Sequence, residues 1–168
     1  LVTGTGLSHL GSAAARDSMH AKIQKSESEM TDSMKMFKWG IEGGKPKPGE
    51  IGTAPEWFYK GDGHWVVPPE KDLELPTYAN DGAEEVEVVG LHVIGDHGQV
   101  LRVGFALGNE YSDHVMERKN YLYLAHSKLR QCSYGPELLT GDLPKNVTGS
   151  AKLIRGGKAV WSGDWLSG

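Results

Sequence analysis

Hydrophobic and polar positions alternate most regularly from Glu84 to Leu91 (EEVEVVGL) and again from Val100 to Gly108, on either side of Gly95-Asp96-His97-Gly98. A period of two predicts a strand, and a Gly/Asp-rich tetrapeptide between two such runs predicts a turn, so the two form neighbouring core strands. In the first strand Glu85 and Glu87 project to one side, with Val89, Leu91 and Val93 behind them and His92 on the opposite face. Glu110 follows the second strand at the point where its alternation breaks down.

Helical spacing governs the first third of the chain. Residues 7–24 read as a helix, with Ser8 as N-cap and Ala13, Ala14 and Ala15 as strong formers. The charged run 25–32 predicts a loop or lid segment. A second helix spans 31–43, capped by Thr31 or Asp32 and stopped by Gly43-Gly44, with Met34 and Trp39 as expected core residues. Lys45 to Gly49 (KPKPG) is a connector that cannot be helical. PEWFYK (Pro55 to Lys60) reads as a strand closed by Gly61-Asp62-Gly63, and His64 to Val67 as a short strand ending at two prolines. Glu70 to Asp81 reads as solvated surface, Asp113 to Arg118 on spacing alone as one solvated helical turn, and Tyr134-Gly135-Pro136 as a turn. Near the end, Ser150 to Arg155 and Lys158 to Trp161 flank Gly156-Gly157, a strong hairpin signal.

Composition narrows the class. A chain of 168 residues suits one domain with a real core, and a formal charge of −4 offers no footprint for nucleic acid or an anionic membrane. No apolar run is long enough to span a bilayer, and no signal-peptide pattern opens the chain. The single cysteine, Cys132, cannot form an internal disulfide, which points to a reducing, cytoplasmic setting, with the thiol itself an inert small residue. The ends, Leu1-Val2-Thr3 and Trp165 to Gly168, read as cuts through a longer chain. No phosphate-binding loop, dinucleotide fingerprint, paired CxxC or GxSxG elbow occurs.

The candidate chemistry lies in the carboxylates. Two on one strand face are costly to bury without a cation, and Glu110 on the next strand supplies a third oxygen ligand. Mg²⁺ is the leading candidate because it takes a few carboxylates and keeps positions open for water and substrate oxygens; Mn²⁺ and Ca²⁺ are the alternatives.

The stretches GTGLSHLGSAA, PEWFYKG, EEVEVVG, VGFALGNEYSDH and AHSKLRQCSYGPEL, in that order, resemble the fumarylacetoacetate-hydrolase-like superfamily. The resemblance is nearest to its bacterial branch with 2-keto-3-deoxy-arabonate dehydratase-type proteins of the arabinose pathway. It implies an α+β, strand-dominated fold: a mixed β-roll with short peripheral helices, one catalytic-type domain truncated at both ends, residues 7–50 forming a helical lid-like segment, and a homodimer. His9, on spacing alone an exposed histidine at a helix start, becomes a lid residue serving as base or positioning a water. Lys60, otherwise a surface lysine, becomes a contact for the substrate carboxylate. Lys128 becomes the ammonium facing a metal-bound keto acid. Where much of the superfamily carries Asp, Arg and Gln, this chain has Glu110, His114 and Glu117. A His and a Glu near a hydroxylated acid suit proton transfer to a leaving hydroxyl. The resemblance therefore implies a metal-dependent hydro-lyase that dehydrates a 2-keto-3-deoxy sugar acid through a metal-stabilised enolate. The alternatives are a hydrolase cleaving a C–C bond of a 2,4-diketo acid or acylpyruvate, and a non-catalytic ligand-binding domain.

Overall fold

The computed structural model describes residues 2–6, 13–24 and 26–167. In chain order the elements are β1 (Val2–Gly6), α1 (Ala13–Lys22), α2 (Asp32–Gly43), β2 (Glu56–Gly61), β3 (Val86–Ile94), β4 (Val100–Asn109), α3 (His114–Lys119), α4 (Leu124–Ser127), β5 (Ser133–Tyr134), β6 (Val147–Arg155) and β7 (Lys158–Ser167). The class is α+β with strands in the majority, as the motifs implied. Among the described residues no helix is long and apolar enough to cross a membrane.

The chain divides into two compact units, one built chiefly from Lys60–Val147 and the other from Thr3–Tyr59 and Thr148–Ser167. In the second unit, α2 begins where Thr31 Oγ1 accepts the Met34 N–H at 3.3 Å. At the other end of α2 the Trp39 carbonyl accepts from Thr53 Oγ1 and the Gly43 carbonyl from Thr53 N, both at 2.8 Å, and the second of these satisfies a carbonyl that the helix end leaves orphaned. Met30 and Met34 are buried, whereas Trp39, an expected core residue, is 47% exposed. The β6–β7 hairpin turns through Gly156 and Gly157 at φ of 56° and 76°; a tight turn matching strand twist needs positive φ at both central residues, which glycine alone adopts without cost.

The first unit is organised by the antiparallel sheet β3-β4-β5. Val86 pairs with Asn109 and Glu87 with Gly108, and a bulge between Leu91 and His92 interrupts the register. Leu91 pairs with Gly104 and His92 with Arg102, so the extra residue is Val103 of β4, and β3 keeps its alternation through Val93, which is 52% exposed. His64 and Trp65, expected to open a short strand, instead belong to a 3₁₀ turn, Gly63–Trp65. Asp62 caps it by accepting from His64 N at 3.0 Å and contacting its Nδ1 at 2.8 Å, a local side-chain bond that outcompetes strand pairing. Strand-like pairing resumes at Val66, which bridges Cys132.

The charged run after Glu110 is helical as its spacing suggested, but its first residue is not solvated. Asp113 is 2% exposed, accepts Met116 N at 2.8 Å as the cap of α3, and accepts Asn80 N at 2.7 Å. Burial pushes its carboxyl up, yet the hydrogen bonds from Asn80, Met116 and Asp81 outweigh that and hold it below the ordinary value. The Asp113→Ala variant is expected to lose about 2 kcal/mol of stability, the sum of a lost cap and an orphaned Asn80 N–H, read as a lower urea midpoint; Asp113→Asn, which keeps an acceptor, should lose less.

Candidate metal centre

β3 begins directly after Glu85 and β4 ends directly before Glu110, so the pairing of Val86 with Asn109 sets the two glutamates side by side. The Glu110 N–H donates to the Glu85 carbonyl at 3.0 Å. Asn109 reinforces this from its side chain: Oδ1 accepts the N–H of Glu85 at 3.0 Å and that of Tyr111 at 3.1 Å. Glu87, two residues beyond Glu85, follows on the same side of the strand. One carboxylate oxygen each from Glu85, Glu87 and Glu110 comes to lie within 4.8 Å of the other two.

The set is partly shielded from water, Glu110 most of all at 7% exposed. Burial, followed by the like charges of Glu110 and Glu85, pushes the Glu87 carboxyl up to about 7. Three carboxylates this close favour keeping a proton or acquiring a cation, and an all-oxygen donor set suits a hard divalent ion such as Mg²⁺.

Two lysines enter from other parts of the same unit. Lys128, whose segment bridges Ser112, has a side chain 1% exposed; its Nζ donates to Glu85 Oε1 at 2.5 Å and lies 3.6 Å from Glu117 Oε2. Burial works against its charge, but Glu85 and then Glu117 and Glu110 outweigh this and raise its pKa. Lys60, near the end of β2, donates to the Glu110 carbonyl at 2.8 Å and to the Leu129 carbonyl, and stands 3.7 Å from Glu110 Oε1. Here burial prevails over the pull of Glu110 and lowers the pKa.

The first turn of α3 adds His114 and Glu117, which share one helix face. His114 Nε2 is 3.1 Å from Glu85 Oε1, and Glu85, His114 and Glu117 form a second group with potential ligand atoms within 4.8 Å of one another. The structure thus brings together Lys60, Glu85, Glu87, Glu110, His114, Glu117 and Lys128; His9 lies outside the described residues. Reading the sequence did not single out Asn109, although an amide directly between a strand end and a candidate ligand is a signal for such a tie. Cys132 is buried, and burial raises its thiol pKa, which fits an unreactive side chain.

No family model matches the chain, and no curated protein does. Solved structures do. The chain is similar to 2-keto-3-deoxy-D-arabinonate dehydratase complexed with magnesium and 2,5-dioxopentanoate, over 66% of its length with 25% identity and a TM-score of 0.52. Against the apo form of that enzyme the similarity covers 96% of the chain with 20% identity and a TM-score of 0.63, and against a hexagonal crystal form 96% with 21% and 0.60. The chain spans 40%, 49% and 50% of those three chains, respectively. The neighbours fall in the superfamily that the sequence motifs resembled.

The raised pKa of Glu87 fixes a sign. Its carboxyl holds a proton more firmly in the folded chain than in the unfolded one, so the resulting stability is complete below the ordinary value of 4.5 and is lost as pH rises through about 7. With chelator present, wild type should lose melting temperature relative to Glu87→Gln across that window. Added Mg²⁺ or Mn²⁺ should raise the wild-type melting temperature and leave the variant's nearly unchanged. A difference between the two that is flat with pH, or equal stabilisation of both by metal, would reject the carboxylate cluster.

Proposed function

We propose that the chain carries the metal-binding and proton-handling part of an enzyme that dehydrates a 2-keto-3-deoxy sugar acid of the 2-keto-3-deoxy-arabonate kind. The observation that carries this reading is the convergence of Glu85, Glu87 and Glu110 beside the buried ammonium of Lys128. The fold likeness to a dehydratase complexed with magnesium supports it. Glu85, Glu87 and Glu110 would hold the cation, and positive charge there would offset both the burial and the mutual repulsion that raise Glu87. When bound, a divalent cation supplies electrophilic stabilisation of negative charge on the substrate's keto oxygen.

The remaining steps fall to side chains of this chain. Lys128, kept protonated by Glu85, provides a second positive group able to donate to a keto or carboxylate oxygen of the substrate. Removal of a C3 proton sends its electron pair into a C2–C3 double bond and charge onto the keto oxygen. When that charge returns, a C3–C4 double bond forms and the C4 hydroxyl leaves, taking a proton to depart as water. The unsaturated keto acid then isomerises to the 2,5-dioxo acid. His114 and Glu117 are the groups for these transfers, one contacting Glu85 at 3.1 Å and the other near Lys128 at 3.6 Å, with His9 as a further candidate for the base.

The test is turnover of 2-keto-3-deoxy-arabonate with Mg²⁺, followed as loss of substrate and gain of a semialdehyde. Chelation should abolish it, Glu87→Gln should do the same, and His114→Ala should lower kcat by about 10²-fold or more, the usual span for a lost acid or base. Carbon–carbon cleavage of an acylpyruvate without dehydration would make the enzyme a hydrolase instead, and Mg²⁺-dependent ligand binding without turnover would make the chain a binding domain.

A further inference from the structure

The segment carrying Glu110 and the segment carrying Lys128 are joined by a short antiparallel ladder. Asp113 N donates to Ser127 O at 2.7 Å, Leu129 N to Tyr111 O at 3.1 Å, and Ser112 bridges Lys128. In regular antiparallel pairing Tyr111 would return a bond to the Leu129 carbonyl. Its φ of 52° and the acceptor on Asn109 direct its N–H elsewhere: it donates to Asn109 Oδ1 at 3.1 Å. The Leu129 carbonyl accepts instead from Lys60 Nζ. The same ammonium donates to the Glu110 carbonyl at 2.8 Å and faces Glu110 Oε1 at 3.7 Å, on a side chain 3% exposed.

We infer that Lys60 is a positioning residue that replaces the missing rung of this ladder, fixing the Glu110 carboxylate and the Lys128 ammonium relative to each other, and is not the ligand for the substrate carboxylate that the family resemblance implied. The inference deepens the proposed function and rests on its roles for Glu110 and Lys128. Three oxygens from Glu110 and Leu129 surround the Lys60 ammonium, which has three N–H groups to give. A substrate carboxylate would have to take the ammonium away from the buried carbonyls it bonds. The separation in sequence shows what the residue does: Lys60 reaches across 50 and 69 positions to the two carbonyls.

Amide hydrogen exchange on the metal-free, substrate-free chain tests the tie independently of any reaction. In Lys60→Met, exchange at Leu129 and Asp113 N–H should accelerate at least tenfold while the β6–β7 hairpin keeps its protection; unchanged exchange at those two amides overturns the inference. Because this variant can lose its fold, a measurement on wild type stands beside it. The Lys60 ammonium labelled with ¹⁵N should give a slowly exchanging resonance with contacts to Glu110 and Leu129, and a fast-exchanging, solvent-like signal overturns the inference. Kinetics separate the two roles: a positioning Lys60 gives a kcat at least tenfold lower in Lys60→Met with KM for the keto acid within threefold, whereas KM raised tenfold at unchanged kcat identifies a substrate ligand and overturns it. If wild type shows no turnover, the proposed reaction fails and the exchange and resonance measurements still decide the role of Lys60.

Discussion

Holding three carboxylates within 4.8 Å of one another in a partly dry setting is the constraint on which the rest of this unit depends. At an effective dielectric constant near 20, two unit charges at that separation repel by roughly 3–4 kcal/mol, so three ionised groups would impose a cost comparable to the whole stability of a domain. The chain offsets this in two ways. Glu87 retains its proton up to about pH 7, and two buried ammonium groups, Lys60 and Lys128, stand against Glu110 and Glu85. The site is thus nearly neutralised by its own residues while remaining receptive to a divalent ion.

The two lysines are equally dry and behave oppositely. Lys128 bonds a carboxylate directly, so Glu85, together with Glu117 and Glu110, outweighs the cost of burial and its pKa rises. Lys60 bonds neutral carbonyls and meets its carboxylate only at 3.7 Å, so burial wins and its pKa falls. This difference in partners separates their uses. An ion pair such as that of Lys128 can be exchanged for another anionic oxygen without stranding a backbone group. The bonds of Lys60 go to buried main-chain carbonyls, and giving them up would cost those bonds where water does not readily replace them.

Much of this was legible because period-two patterning is a strong signal. Glu85 and Glu87 fell on one strand face and Glu110 at the end of the next, and the register of β3 with β4 assembled them as expected. Gly156-Gly157 and Thr31 were equally readable, since each marks a local geometry that few residues satisfy. What escaped depends on contacts between distant segments. Nothing around Lys60 announces that its ammonium closes a gap left by Tyr111, and nothing around Asp113 announces burial against Asn80. His64 was misread because the Asp62 side chain captured its N–H locally, and the extra residue that β4 inserts opposite Leu91 and His92 had no mark in the sequence. Periodicity describes a strand's faces but carries no information about where a bulge will reset them.

That the bulge lies at the far end of the hairpin is what preserves the site. A slip of one residue between Glu85 and Leu91 would turn the glutamates to the other face and scatter the three carboxylates. Near the carboxylates the register is fixed by Gly108, which pairs with Glu87 on one side and Tyr134 on the other. A Cβ there would lie 2.4 Å from Val89 Cγ2 and 3.3 Å from the Ser133 carbonyl, so β4 can pass between β3 and β5 at this point only without a side chain. Next to it Asn109 spends its side chain on the amides of Glu85 and Tyr111, which pins the first carboxylate and turns the backbone just beyond the third. The consecutive residues Gly108, Asn109 and Glu110 therefore act in sequence: the first admits the strand, the second locks its register, and the third delivers the carboxylate that the register has placed.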